Sequence, residues 1–475
     1  MTLKTPKFAA AVSLSLTLSS LTMGTLSLGM LAAHDAQAGK FDAKVEEMNE
    51  TVAQDASNYG VLGQAQFEAV QSAPLLLVDL TALTADEQQN LRERRSYQLK
   101  HGEPLQIGIA RDLDGLDANS RQLSVESTKD GGLVQRFSVR STGASALRLG
   151  FQLSNKSSLD GLTLRFGGTK GDVFEVKGNE LSGDDLQWSP VVAGDVVTVE
   201  ISVDRGFDIN SAGLKLLQIS HLDIDPAATQ SAVVAKIGES DSCERDVVCR
   251  TSPPASFRST ADSVARMVFT KGGSSYLCTG TLLNNNNTTL RHLFWSANHC
   301  ISSQTVANTL QTYWFYEATT CGGSTVSSRA RTLTGGAYLR YNNTARDTLL
   351  LELKSAPPAG AIYAGWTSSA ITSTGTAIEG IHHPAGDVKM YSLGSITSTS
   401  SNTDGLGPFY RVQWSLGVTE GGSSGSGLFT RSSTGAYQLR GGLYGGLSFC
   451  TAPTANDYYS RFADVYTSTK PYLSP

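Results

Sequence analysis

All six cysteines of this 475-residue chain (Cys243, Cys249, Cys278, Cys300, Cys321 and Cys450) lie beyond residue 242. The N-terminus says which chemistry they meet. Lys4 and Lys7 precede an uncharged stretch from Phe8 to Ala33, and Ala36-Gln37-Ala38 supplies small residues for a cut after Ala38. This is the layout of a signal peptide over residues 1–38. A stretch of about 26 uncharged residues is also long enough for a membrane anchor. Its Ser, Thr and Gly content and the A-x-A site favour a removable signal, so a secreted protein without a stable membrane anchor is expected. Outside the cytosol an even number of cysteines reads as three disulfides, with fifteen connectivities open. The Cys243/Cys249 spacing is too wide for a C-x-x-C zinc pair. Residues 39–242 must fold without cross-links, and the rest folds with them.

Charge divides the chain at the same place. The whole carries a net charge of -5, which argues against nucleic acid as its main partner. With Lys236 as boundary, residues 39–236 hold 19 Lys+Arg against 28 Asp+Glu, whereas 237–475 hold 17 against 14. Opposite signs suit two pieces that dock on each other.

Residues 39–72 are polar with sparse helical spacing (Val45, Met48, Val52), which predicts a helix or an arm. Thr84-Ala85-Asp86-Glu87 is a capping box that opens a helix through about Leu99. From 133 to 222 short alternating runs, such as Leu133–Val139, Leu147–Phe151 and Val196–Ile201, alternate with Gly- and Asp-bearing turns, a β-sandwich-like texture. His101 and His221 stand alone there and read as solvated or structural. After residue 264 short strands return (Arg266–Phe269, Leu277–Leu283, His292–Ser296, Thr348–Leu353, Tyr437–Leu443), with a short helix at the end that prolines stop. The second piece is an all-β domain of about 239 residues.

Three of its segments carry chemistry. Trp295-Ser296-Ala297-Asn298-His299-Cys300 puts a histidine just after a hydrophobic strand. Arg346-Asp347 puts an acid at the mouth of the buried strand Thr348–Leu353. Gly421-Gly422-Ser423-Ser424-Gly425-Ser426-Gly427 is a Gly/Ser turn between apolar strands. A serine becomes nucleophilic only beside a base, and the base needs an acid to hold its tautomer. Glycines let backbone N–H groups converge on an oxyanion. Each segment alone is a weak signal, but His, Asp and Ser in this order on a disulfide-bearing all-β chain are more specific.

Over about 238–475 the sequence resembles the trypsin/chymotrypsin-like serine endopeptidases, and specifically the bacterial lysyl endopeptidases. The resemblance rests on the three segments above, on Cys243-x5-Cys249, Cys278-Thr279-Gly280-Thr281-Leu282 and Ile381-His382-His383-Pro384, and on Gly417-Val418-Thr419-Glu420 ahead of the serine turn. It implies a double antiparallel β-barrel with His299 as general base, Asp347 orienting it and Ser424 as nucleophile. It further implies Gly422 and Ser424 N–H groups as the oxyanion hole, and disulfides Cys243–Cys450, Cys249–Cys321 and Cys278–Cys300. Ser296 replaces the usual threonine. Ser423 stands where many relatives have an aspartate that receives the freed N-terminal ammonium, so activation by that ion pair is not expected. A lipase-type G-x-S-x-G elbow fails at Ser426.

Val418 occupies the position, six before the serine, where trypsin carries its pocket acid. In lysyl endopeptidases the acid comes from a later strand, and Asn456-Asp457-Tyr458-Tyr459 matches that segment, with Asp457 in its place; its plain alternative is a surface turn. Tyr444 and Gly445 would line one wall of the pocket and Glu420 would assist. An acid in a compact pocket favours the lysine ammonium over a guanidinium. The second piece holds only four lysines beside thirteen arginines, as suits an enzyme that cuts after lysine. No cofactor or metal is expected, and His382-His383 reads as structural. Residues 39–236 read as a propeptide, a mainly β domain that assists folding, occludes the cleft and is released by self-cleavage after Lys236, leaving a monomeric protease over 237–475 that acts on protein or peptide substrates. The alternatives are an Arg or Glu specificity, an inactive protease-fold binding protein, and a retained N-terminal binding module.

Overall fold

The computed structural model describes residues 45–52, 65–69, 73–101, 103–117, 123–153, 159–169, 173–181, 186–210, 213–228, 240–287 and 289–475. The two expected cleavage positions, Ala38 and Lys236, lie outside them. Strands dominate throughout, as expected for an all-β chain.

The N-terminal piece is built from two sheets. One runs Val173–Lys177, Leu162–Gly167, Val196–Val203, Leu133–Ser141 and Leu75–Leu80, with Val125–Ser127 on the side. The other runs Gln187–Trp188, Ala146–Leu153, Leu214–Leu222 and Gly108–Asp117. Because side chains alternate along a strand, each sheet turns one apolar row inward. Phe137, Val139, Leu164, Phe166, Val199 and Ile201 of the first meet Leu147, Leu149, Phe151, Leu216 and Ile219 of the second in one buried core.

After Leu75–Leu80 the chain forms the helix Ala85–His101. Thr84 Oγ1 accepts from Glu87 N–H (3.2 Å) and Glu87 Oε2 accepts from Thr84 N–H (2.8 Å), so the capping box is complete. After the helix, Leu105–Gln106 leaves the N-terminal piece and pairs antiparallel with Leu277 and Tyr276.

Among the described residues the second piece has two large sheets. In one, Tyr437–Gly446, Gly427–Arg431, Ala377–His382, Met390–Thr403, Leu406–Leu416 and Asp457–Tyr459 pair in turn. The last then pairs with the first, closing a six-stranded barrel. The other runs Arg331–Leu333, Gln311–Trp314, Val264–Lys271, Ser274–Leu283, Leu293–Ser296, Thr348–Leu353 and Ala337–Asn343. Trp295, Trp366, Phe429, Leu439 and Phe462 fill a shared core where the two sheets meet.

Two local expectations are corrected. Of the helix or arm expected over 39–72, the helix is not formed at Glu47–Met48 and Thr51–Val52, which are short strands that pair with Trp366–Thr367 and Ile362–Tyr363 of the second piece. Three apolar residues were too few to bury a helical stripe, whereas an edge strand draws its hydrogen bonds from a neighbour already in place. The final helix, Phe462–Leu473, continues through Pro471. So near the end, proline removes only one of the helix's last hydrogen bonds. On the same face Glu46 pairs with Lys470 and accepts from the Tyr466 hydroxyl at 2.5 Å, which together hold its carboxyl down at about 2. The acidic piece and the basic piece meet there through opposite charges.

Candidate active site

Strand pairing brings the base and its acid together. Leu293–Ser296 lies antiparallel to Thr348–Leu353 with Ser296 opposite Leu349. His299 is three residues past the end of one strand and Asp347 is the residue before the other, so both emerge at the same sheet edge. Asp347 takes a left-handed backbone (φ 46°) that aims its carboxylate back at the histidine. Its Oδ1 accepts from the His299 backbone N–H (2.9 Å) and its Oδ2 lies 2.7 Å from Nδ1. The carboxylate is buried, the imidazole is partly exposed, and Nε2 has no hydrogen-bond partner. The Cys278–Cys300 disulfide anchors the histidine turn to the neighbouring strand. Its separation of 22 residues corresponds to about 3 kcal/mol of unfolded-chain entropy.

The serine comes from the closed barrel. Ser424 is fully buried in the turn between Leu406–Leu416 and Gly427–Arg431. Its carbonyl accepts from Thr279 N–H (2.9 Å) and lies 3.9 Å from Cys300 Sγ, which seats the serine turn beside the histidine turn. Two glycines have backbone reasons for their identity. Gly422 takes φ 97° and a Cβ there would come 3.0 Å from both Gly386 N and His383 O; a Cβ on Gly425 (φ 81°) would come 2.1 Å from Ser296 Oγ. The Gly422 N–H donates to the carbonyl of Glu103, 3.3 Å away, in the N-terminal piece.

Ser423 is buried between His382 Nδ1 (2.8 Å) and the Glu420 N–H (3.2 Å). Burial holds His382 neutral by lowering its pKa to about 3, and its Nε2 meets Ser392 Oγ at 3.0 Å. Ser423 and the neutral His382 thus form an uncharged hydrogen-bonded pair beside the serine turn. His383 is also buried, with Nδ1 2.9 Å from Asp387 O.

Asp457 is not a surface turn residue: its relative exposure is 0%. Trp414 Nε1 (2.6 Å), Thr419 Oγ1 (2.8 Å) and Ser448 Oγ (2.5 Å) donate to Oδ2, and Ser448 N–H (3.1 Å) donates to Oδ1. Burial nevertheless raises its pKa above the usual carboxylate value, against the pull of these donors. Oδ1 lies under Gly446, where a Cβ would come within 2.2 Å of it. One residue away, Gly445 pairs with Tyr458, and the ring of Tyr444 stands edge-on to His299 at 5.9 Å. Glu420 turns toward the start of the second piece, where Oε1 accepts from Asp241 N–H (3.0 Å), and burial pushes its pKa up to about 7.

Sequence reasoning missed Trp414, Thr419, Ser448 and Gly446 around Asp457, and the contact of Glu103. The paired glycines 445–446 beside a strand that begins at an aspartate were the one available signal. The disulfides are Cys243–Cys450, Cys249–Cys321 and Cys278–Cys300. Among the described residues no helix is long and apolar enough to cross a membrane.

A histidine–aspartate pair at the end of one sheet, seated beside a Gly/Ser turn on a second, closed one, fits a serine endopeptidase of the trypsin-like all-β class. The lysyl endopeptidase C-terminal domain family matches residues 237–460, and the lysyl endopeptidase N-terminal domain family matches 79–223. A lysyl endopeptidase of Pseudomonas aeruginosa is 43% identical over 385 residues, 79% of this chain and 83% of that protein. The chain belongs to the lysyl endopeptidase family. Solved structures with some likeness include a thermostable serine protease from an extremophilic microorganism, with 12% identity and a TM-score of 0.32 over 46% of this chain and 98% of that one. Another is the MamO protease domain of Magnetospirillum magneticum, with 10% identity and a TM-score of 0.31 over 45% and 98%.

Proposed function

We propose that this endopeptidase is a secreted enzyme that hydrolyses peptide bonds on the C-terminal side of lysine, and that it is made as a precursor: signal peptide 1–38, propeptide 39–236 and protease 237–475, self-released after Lys236. The observation that carries the specificity is the buried Asp457 carboxylate beneath Gly446. It has four donors and, among the described residues, no cationic partner. Three of the four converge on Oδ2, so Oδ1 keeps acceptor capacity on the Gly446 side. An ammonium arriving there supplies the counter-charge that burial makes valuable. The support for lysine over arginine is compactness, together with the family of the chain.

In the reaction, His299 Nε2 removes the Ser424 hydroxyl proton as Oγ attacks the carbonyl carbon of the lysine residue. Asp347, fixed on Nδ1, holds the tautomer that leaves Nε2 basic and stabilises the imidazolium that forms. The N–H groups of Gly422 and Ser424 receive the oxyanion, each worth on the order of 10²–10³ in rate. The imidazolium returns its proton to the leaving amine, and water then releases the acyl group by the same path reversed. Tyr444 borders the base, while Glu420 acts at a distance by securing the segment around Asp241. Mass measurement of the secreted form tests the maturation scheme: a mature chain that starts at Ile237 supports it. A Lys236→Ala chain still cut at that bond would refute self-cleavage there.

A further inference from the structure

The segment after the N-terminal helix crosses the catalytic cleft in the direction and pairing of a substrate. Glu103 offers its carbonyl to the Gly422 N–H at 3.3 Å. Two residues on, Leu105 pairs antiparallel with Leu277 and Gln106 with Tyr276, on the strand whose next residue, Cys278, is bonded to Cys300 beside the catalytic histidine. Ile107 N–H extends the pairing to Ser275 O at 2.8 Å. A chain whose carbonyl sits on an oxyanion donor, and whose following residues run as a strand, has its next nitrogen in the position of the leaving amine. That nitrogen belongs to Pro104.

The segment is held firmly. Leu105 is buried against Leu277, Val268 and Tyr313. Glu103 N–H bonds to Gln98 O (3.3 Å), Gln106 N–H bonds to Gln98 Oε1 (2.9 Å), and Arg95, anchored on Asp223, donates to Gln106 O at 2.5 Å. Gly421 N–H bonds to Leu99 O (3.3 Å), so the helix end itself is seated on the serine turn. A cavity of about 710 Å³ remains beside it, lined by Tyr97, His101, Glu103, His299, Tyr444 and Leu447 among others.

We infer that Glu103-Pro104-Leu105-Gln106 is a built-in substrate mimic that the enzyme cannot cut, so that residues 39–236 remain an inhibitor after the bond at Lys236 is broken. The inference rests on the catalytic roles proposed above. Two features block hydrolysis. The Pro104 nitrogen carries its ring Cδ where an ordinary residue has N–H, so the histidine finds a crowded tertiary nitrogen when it must return its proton. Glu103 is also acidic, the wrong charge for a pocket based on Asp457. With both features removed the ordinary sequence applies: Ser424 Oγ attacks the carbonyl of residue 103, and His299 carries the hydroxyl proton to the nitrogen of residue 104. The C–N bond then breaks, and water releases residue 103 from the serine.

The test uses the full-length chain in four forms: unaltered, Glu103→Lys, Pro104→Ala, and both together, with Ser424→Ala added to the double form as control. Intact mass follows the bond between residues 103 and 104, and hydrolysis of an added lysyl peptide is read in parallel. The unaltered chain and Glu103→Lys stay whole at this bond. The double form is cut there in a Ser424-dependent way, faster than Glu103→Lys by roughly 10²-fold or more. Pro104→Ala is cut more slowly than the double form, and the double form reaches full peptidase activity soonest. Cleavage of the unaltered chain between 103 and 104, or equal rates in Glu103→Lys and the double form, would overturn the inference. So would a double form that hydrolyses the lysyl peptide yet stays whole at 103. Absence of lysyl-peptide hydrolysis in every form would instead remove the catalytic reading, and this inference with it.

Discussion

Asp347 grips His299 at two points, its Oδ1 on the backbone N–H (2.9 Å) and its Oδ2 on Nδ1 (2.7 Å). One contact fixes the position of the residue and the other fixes the tautomer of its ring. Asn at 347 can keep an acceptor on one of these donors but turns an amide N–H₂ toward the other. Asp347→Asn is therefore expected to fold normally and to lose on the order of 10⁴ in kcat. Unchanged thermal unfolding beside steady-state kinetics checks it, and activity within tenfold of the unaltered enzyme would remove Asp347 from the mechanism.

The pocket makes a paired prediction. Asp457→Asn keeps the shape but withdraws the charge, so kcat/KM for lysyl peptides should fall by roughly 10²–10³ while uncharged peptides change little. Gly446→Ala places a Cβ 2.2 Å from Oδ1 and 2.5 Å from Asn456 O. It should cost about 1–3 kcal/mol of stability and also impair lysyl hydrolysis, because backbone must shift to admit it. Equal losses by Asp457→Asn on charged and uncharged peptides would make the aspartate a structural residue alone.

Glu420 sets a pH dependence of stability. Burial raises its folded pKa to about 7 from the 4.5 ordinary for a glutamate. The folded state then keeps a proton that the unfolded state has already lost, so stability falls as pH rises from about 4.5 to 7. Glu420→Gln retains an acceptor for Asp241 N–H and removes the titration. It should match the unaltered protein below pH 4.5 and exceed it by up to roughly 3 kcal/mol at pH 8. Denaturant unfolding of the Ser424→Ala chain at both pH values measures this without self-digestion, and a pH-independent difference would contradict it.

Where function depends on side chains that sit near one another in sequence, the chain was readable. The histidine after Leu293–Ser296 and the aspartate before Thr348–Leu353 needed only the pairing of two apolar strands to meet. The capping box at Thr84, the alternating sandwich strands and the Gly/Ser turn were equally local signals. The cleft's occupant was not readable, because Glu103 and Gln106 bind through backbone groups that any residue carries. The same holds for Glu47–Met48, whose sparse spacing left a helix or an arm open and which pairs with the strand edge of Trp366–Thr367. The shell around Asp457 comes from residues 414, 419 and 448, which no short motif connects.

The proposal that Ser424 cuts after lysine through the pocket of Asp457 is open to experiment. Its most direct test is hydrolysis of matched peptides that differ only in Lys, Arg or Glu at the scissile position, by the processed protein and by its Ser424→Ala form. Cleavage after Lys, much weaker cleavage after Arg, none after Glu, and loss of all of it in Ser424→Ala are expected. Preference for Arg or Glu would keep the triad and contradict the role of Asp457, and activity that survives Ser424→Ala would contradict the triad itself.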